Sequence, residues 1–227
     1  MYNVNMATTR RVTRTKSIAR KPLSREQVLA AGLRLIDAHG FDALSMRRLG
    51  AELGVEAMAL YNHVRDKDDL LDGIVELLWG EVEADTEQTA DWRDGIRSLA
   101  WTLRAVVHRH SQAAPLLHSR NLMPLPILRV CDRQLQALRA GGFTEEAAAE
   151  ALRTTVSFAI GLALSEVTWF GPLRPGAARE SEMARLRRIA QSLPADAPDH
   201  LVEVALAVCN CDVDVQFESS LEMLVRG

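Results

Sequence analysis

The chain has little of what marks the more conspicuous protein classes. Aromatic residues make up 5% of its 227 positions, and cysteine occurs three times, at Cys131, Cys209 and Cys211. Three thiols are too few for a disulfide framework and read as reduced, buried small hydrophobes. Cys209 and Cys211 have the spacing of half a metal site, but no matching Cys/His pair lies near them in the sequence. The formal net charge is only −3, so bulk charge does not announce nucleic acid. No uninterrupted apolar run approaches the ~18 residues of a membrane span. The longest, residues 156–164, is broken by Ser157 and Gly161 and followed by Ser165 and Glu166. The arginine-rich opening leads into a capped helix rather than an apolar core with a cleavage site, unlike a secretory leader. These absences predict a cytoplasmic protein with no membrane partner. There is no glycine-rich phosphate loop, internal repeat or low-complexity tract, and no cofactor is expected.

What is present is unevenly placed. Arg10, Arg11, Arg14, Lys16, Arg20, Lys21 and Arg25 all precede the first acid, Glu26. Asp196, Asp199, Glu203, Asp212, Asp214, Glu218 and Glu222 crowd the other end against Arg226. This asymmetry fits a basic arm for an anionic partner, or simply a solvated tail. Residues 1–22 lack apolar periodicity and read as a flexible arm.

Helical signals then begin. Ser24 and Gln27 form a capping box, in which the hydroxyl meets an early backbone donor and the glutamine reaches back. Val28, Gly32, Leu35 and Ile36 line one face at helical spacing, with Leu29 and Leu33 beside them, and Gly40 ends the run. Ser45 opens a second, short helix in which Met46, Leu49 and Leu53 point inward while Arg47 and Arg48 do not. Gly54 makes a tight turn, and residues 56–63 form a third helix of about two turns. Asp66 caps a longer fourth helix with Leu70, Leu71, Ile74, Leu78 and Val82 as its buried stripe. Asp68 and Asp69 suit that helix's positive end. Further helices are predicted over 91–110, 124–139, 144–169, 180–193 and 201–225, with breaks at Gly171–Gly176 and Pro194–Pro198. Residues 202–208 alternate like a strand, but their helical surroundings favour helix. The expected fold class is all-α.

A capped helix followed by two short ones meeting at a glycine supplies the parts of a helix-turn-helix. Such a motif enters the major groove by the first turn of its second short helix, where the bases limit bulk. Ala57 and Met58 fit that space and offer apolar contact suited to thymine methyls. Tyr61 and His63 fall where the helix passes the phosphates, and Lys67 can meet a phosphate from the next helix. Arg47 is the candidate for bidentate reading of guanine.

The stretch "LSREQVLAAGLRLIDAHGFDALSMRRLGAELGVEAMALYNHVRDKDDLLDGI" resembles the tetracycline-repressor (TetR) family of bacterial regulators. The resemblance rests on Gly40-Phe41, residues 49–55, Leu60-Tyr61 and Lys67 with Leu70-Leu71. Beyond it, Trp92, His118, residues 142–144 and 158–164 resemble the ligand-binding half of the tetracycline-repressor branch more loosely. The resemblance implies a three-helix helix-turn-helix head joined by a linking helix to a helical ligand-binding and dimerisation bundle. The boundaries are then 1–22 for the arm, 23–70 for the head and 71–227 for the bundle. It implies a homodimer on an inverted-repeat duplex operator, released by a small organic effector that shifts the spacing of the heads. Tyr61 and Lys67 would hold phosphates, His63 a phosphate or base, and Arg47 a base. Where tetracycline-responsive members carry glutamine and proline, this chain has Ala57 and Met58, so its operator should differ.

For the effector, Trp79, Trp101, His118, Met123, Phe158, Ser165 and Trp169 are the candidate ligand-binding residues, and Trp92 is a further aromatic of that half. His118 falls near the family's magnesium-ligating histidine, but the companion positions read Glu83 and Ser165. A metal-free effector is therefore expected. Ala148, Ala151, Thr155, Ala159 and Ala163 permit close helix crossing, and with residues 217–225 suggest a four-helix dimer seam. Two other readings compete. One is a metal-dependent hydrolase using His108, His110 and His118 with Glu166. The other is a helical adaptor whose head does not bind DNA.

Overall fold

Capped starts and glycine stops set the helices out along the chain. The computed structural model describes residues 22–120, 122–171, 182–194, 196, 198–209 and 212–226. The basic residues 10–21, the break around Pro172 and Cys211 lie outside them. The helices are α1 (Arg25–His39), α2 (Met46–Leu53), α3 (Ala57–Leu60), α4 (Lys67–Asp85), α5 (Trp92–Arg109), α6 (Leu116–Ser119), α7 (Leu125–Ala140), α8 (Glu145–Phe170), α9 (Glu182–Ser192), α10 (Asp199–Cys209) and α11 (Val213–Arg226). There is no strand among the described residues, so residues 202–208 are helical despite their alternation.

The local signals act as their chemistry requires. Ser24 Oγ accepts from the Gln27 backbone N–H at 3.3 Å, and Gln27 Oε1 accepts from the Ser24 N–H at 3.0 Å. Ser45, Asp66 and Thr144 cap α2, α4 and α8 through their side-chain oxygens. Gly54 ends α2 in the left-handed region with φ of 65°. The third helix is shorter than its sequence predicts. One α turn gives way at Tyr61–His63 to tighter backbone bonds, such as His63 N–H to Leu60 O at 2.9 Å.

One apolar cluster runs through the chain, from Val28 and Leu60 to Phe217 and Val225. The helix α4 belongs to both ends of it. Its Leu70 and Ile74 side chains reach Gly32 of α1, and Leu29 fills the space above Gly73. At its other end Glu83 pairs with Arg129 and Arg133 of α7, at 3.5 and 3.6 Å. Glu81 and Asp85 bond Arg109 of α5. Arg120, just past α6, ion-pairs with Asp72 and lies 3.3 Å from Asp68.

The most extensive helix pairing is α5 with α8, and it reassigns one face. Ala148, Thr155, Ala159 and Ala163 are fully buried within this chain, and Ala151 is half-buried. They let α5 approach α8 rather than facing outward. The open side of α8 carries Thr154, Ser157, Gly161, Ser165 and Thr168. A β-carbon added at Gly161 would meet nothing within 4 Å. By length and mean hydropathy (1.3) this helix alone among the described ones could cross a membrane, although it holds no single unbroken apolar run. Only 33% of its most apolar window is buried, so a largely apolar helix is left uncovered on one side.

Candidate nucleic-acid interface and buried polar centre

The head is built so that one side of α3 is sealed and the other is bare. Leu60 is 0% exposed and Val64 2%, while Met58 is 75% exposed and Tyr61 44%. Arg47, Arg48 and Lys67 are exposed, and Ala57 and His63 are half-buried. Lys67 sits with its Nζ 5.3 Å from the Phe41 ring centre. The two short helices meet closely because position 50 is glycine. A β-carbon there would lie 2.8 Å from the Val55 carbonyl oxygen and 3.1 Å from the Ala57 nitrogen. The Gly50 carbonyl in turn accepts the Val55 N–H at 2.9 Å.

Periodicity gave no sign of the clamp beneath this surface. Arg25 donates to both oxygens of Asp69, at 2.9 and 3.1 Å, and to the His63 carbonyl at 2.8 Å. The Arg65 N–H donates to the same carboxylate at 2.8 Å. The start of α1 is thereby tied to the turn that leads out of α3. The Arg25 guanidinium, with the Arg65 backbone, holds the Asp69 carboxyl down at about 2. Its folded pKa lies below the ordinary value, so its stabilisation is complete above about pH 4 and lost as pH falls through about 2. Denaturation midpoints of wild type and Asp69→Asn should therefore differ clearly at neutral pH. The gap should narrow below about pH 4 and close near pH 2. A gap independent of pH would reject the clamp.

The seven effector candidates are scattered. Trp101 and Phe158 come together on Phe217, with ring centres 4.8 and 5.5 Å from it. Trp101 also donates to Glu218 at 3.0 Å. Trp79 is a core side chain at 5% exposure. His118 is exposed on α6, Met123 precedes α7 in solvent, and Trp169 is half-exposed at the end of α8. The Ser165 hydroxyl donates back to the Gly161 carbonyl of its own helix at 3.0 Å. Trp92 packs edge-on against Phe143 at 4.8 Å, where α5 begins.

The three histidines go three ways. His108 Nε2 faces Glu166 Oε2 at 2.7 Å inside the bundle. His110 lies on another face, 2.7 Å from Asp37 of α1 and 3.1 Å from Glu81 of α4. Burial pulls His110 down, but those two carboxylates outweigh it and leave its pKa raised. With His118 in solvent, the convergence that a metal-assisted hydrolase needs is lacking. Among the described residues no three His, Cys, Asp or Glu side chains are placed to hold a metal ion.

The polar centre of the bundle has a different composition. Arg104 of α5 is 4% exposed; its Nε donates to Glu166 Oε2 of α8 at 2.7 Å and its Nη2 to Asp214 of α11 at 2.8 Å. The guanidinium also lies 5.0 Å from the Trp101 ring and 4.9 Å from Phe217. Glu166 is 2% exposed. One arginine thus joins three helices. Glu166 and His108 were legible only as candidates for a hydrolase site, whereas Arg104 was not legible at all.

Comparison with known proteins agrees with this layout. Residues 85–227 match the family model described as "Tetracyclin repressor-like, C-terminal domain", and residues 28–74 match "Bacterial regulatory proteins, tetR family". An HTH-type transcriptional regulator of Saccharopolyspora erythraea is 33% identical over 157 residues, 69% of this chain and 65% of that protein. The chain thus spans just under two thirds of that relative's length. The class A tetracycline repressor from transposon 1721 of Escherichia coli is 31% identical over 186 residues, covering 80% of this chain and 86% of the repressor. The crystal structure of the Streptomyces coelicolor TetR family protein ActR in complex with actinorhodin is 28% identical. It superposes with a TM-score of 0.72, covering 91% of this chain and 95% of that one.

Proposed function

The chain belongs to the tetracycline-repressor family of bacterial regulatory proteins, and from that premise we propose that it is a cytoplasmic, ligand-responsive repressor that binds duplex DNA as a homodimer. The observation that carries this reading is the two-sided third helix. Leu60 and Val64 anchor it while Met58 and Tyr61 stand clear of the core. A helix held this way presents its first turn and its tyrosine edge to a groove. Arg47 reads a base, Tyr61 and Lys67 hold phosphates, His63 meets the phosphate rim, and Ala57 with Met58 lies against the groove floor.

The uncovered side of α8, with Thr154, Ser157, Gly161 and Ser165, is the seam for the second copy, together with the exposed side of α11. The effector is a small organic molecule. ActR, with actinorhodin in its crystal structure, is the precedent among similar structures. Trp101, Phe158, His118, Met123 and Trp169 remain the candidate contacts, while Trp79 supports the wall from within and Ser165 falls on the α8 seam instead. Arg120 carries the signal, because it ties the segment after α6 to Asp68 and Asp72 at the head end of α4. An effector that favours the DNA-incompetent head spacing about 100-fold couples the two sites by about 2.7 kcal/mol.

Operator fragments recovered by pull-down of genomic DNA provide the test. Arg47→Ala should weaken binding by about 1–3 kcal/mol, and Lys67→Ala should lower the salt dependence by about one phosphate contact. An adaptor with a silent head would show no duplex affinity and no response to either change.

A further inference from the structure

A single side chain, His110, joins the head to the bundle. The residue ends α5, and its carbonyl accepts the Ala113 and Ala114 N–H groups at 2.8 and 2.7 Å, opening the turn that runs into α6. Its ring lies between two other helices. Nδ1 is 2.7 Å from Asp37 Oδ2, in the last turn of α1, and Nε2 is 3.1 Å from both carboxylate oxygens of Glu81 on α4. His110 is 8% exposed, so little water reaches it. Gly40, which ends α1, also comes close to this corner: a β-carbon there would lie 3.5 Å from Gln112 Oε1. The end of the first head helix is thus held by the bundle directly, apart from the apolar contacts of Leu29 and Gly32 with α4.

Both ring nitrogens face a carboxylate. Neutral imidazole has one N–H and one lone pair, so in that form one nitrogen would meet negative oxygens with no proton between them. Only the imidazolium donates on both sides. The charges around the ring come from three helices. On α1 they are Asp37 and, lining the same groove, Arg34; on α4 they are Glu81 and, likewise in the groove, Glu76. On α5, Arg109 bonds Glu81 and Asp85, and the bond to Glu81 raises its pKa, so it stays charged. Of these residue types only histidine ordinarily titrates near neutral pH. His39, two residues past Asp37, is exposed, whereas His110 lies between the carboxylates. We propose that His110 is a proton-operated latch: as imidazolium it bolts the end of α1 to α4 and α5, and on losing its proton it can hold only one of Asp37 and Glu81. Burial opposes the imidazolium, but the two carboxylates outweigh it and the folded pKa is raised. The latch is therefore fully closed below about pH 6.5 and opens as pH rises through the folded value. Given the repressor reading above, the freedom of the heads then depends on pH as well as on effector. The latch itself can be read without DNA.

Nitrogen NMR of the imidazoles in the full chain, with the His110 signals identified by their loss in His110→Gln, gives the titration. Both ring nitrogens should carry a proton at about pH 6, and the ring should titrate above about 6.5. Hydrogen exchange, corrected for the intrinsic pH dependence of amides, reads the last turns of α1, residues 33–39. These should be better protected at about pH 6 than at about pH 9, by about tenfold for each unit by which the pKa is raised. His110→Gln keeps a hydrogen-bond donor without a titrating proton and should abolish that difference. Asp37→Asn keeps the shape, removes one of the two charges, and should lower the pKa of the ring. The proposal is overturned if the wild-type ring titrates at or below its ordinary value, or if α1 is equally protected at both pH values. It is also overturned if the difference survives in His110→Gln, or if Asp37→Asn leaves the titration unmoved. None of these outcomes bears on whether the head binds an operator.

Discussion

Arg104→Ala is expected to cost about 3–5 kcal/mol of unfolding free energy, the usual range when one partner of a buried ion pair is removed. The guanidinium is 4% exposed and Glu166 is 2% exposed. Deleting it leaves the Glu166 carboxylate in the bundle with only His108, and Glu166 Oε1 already lacks a hydrogen-bond partner among the described residues. Asp214 is half-exposed and can return to water. The side chain also fills the space between Trp101 and Phe217, so alanine removes volume as well as charge. A paired replacement, Arg104→Met with Glu166→Leu, removes both charges and should recover most of the loss. Urea denaturation at one fixed protein concentration measures all three proteins, because the stability of any assembly depends on concentration. A loss below about 1 kcal/mol for Arg104→Ala would mean that the pair is solvated in solution.

The second large effect is on DNA. Gly50→Val should reduce operator affinity by about 100-fold or more, since the helix proposed to carry the contacts is displaced as a unit. Even one added carbon at position 50 lies 2.8 Å from the Val55 carbonyl oxygen, and both nearest neighbours are backbone atoms that cannot rotate away. Valine adds two methyl groups to that contact. The two short helices must spread, and Ala57 and Met58 move with α3. Overpacking of this kind costs about 1–3 kcal/mol in stability, which the larger core beyond α4 can absorb. The variant should therefore keep the fold and the assembly state of the wild type by circular dichroism and sedimentation while losing the operator in a fluorescence anisotropy titration. Retained affinity would place the reading surface elsewhere on the head.

How much of this was legible follows from the range of each signal. Capping is local, so Ser24 with Gln27, Ser45, Asp66 and Thr144 revealed where helices begin, and Gly40 and Gly54 where two of them end. Apolar spacing revealed which side of α1 and α4 is buried but not what it is buried against. That is why the alanines of α8 suggested an outward seam while they pack on α5. It is also why Arg25 and Asp69, forty-four positions apart, showed no relation. For the head, the outward residues followed from one short motif with fixed geometry. For the effector half, choosing aromatics by type could not separate Trp79, sealed in the core, from Trp169, half in solvent. The open side of α8 carried a weak sign, because Thr154, Ser157, Gly161 and Ser165 recur at helical intervals among apolar residues.

The helix shared by head and bundle acts as a crank. It is 19 residues long, or about 28 Å, and both of its ends are bolted, to α1 by apolar contact and to α5 and α7 by ion pairs. Rotating such a rod by roughly 10° about its bundle end swings the far end by about 5 Å, given that length. Two symmetric rods swinging apart would double that travel between the paired heads. A displacement too slight to notice around an effector can thus throw the recognition helices out of step with the pitch of the duplex.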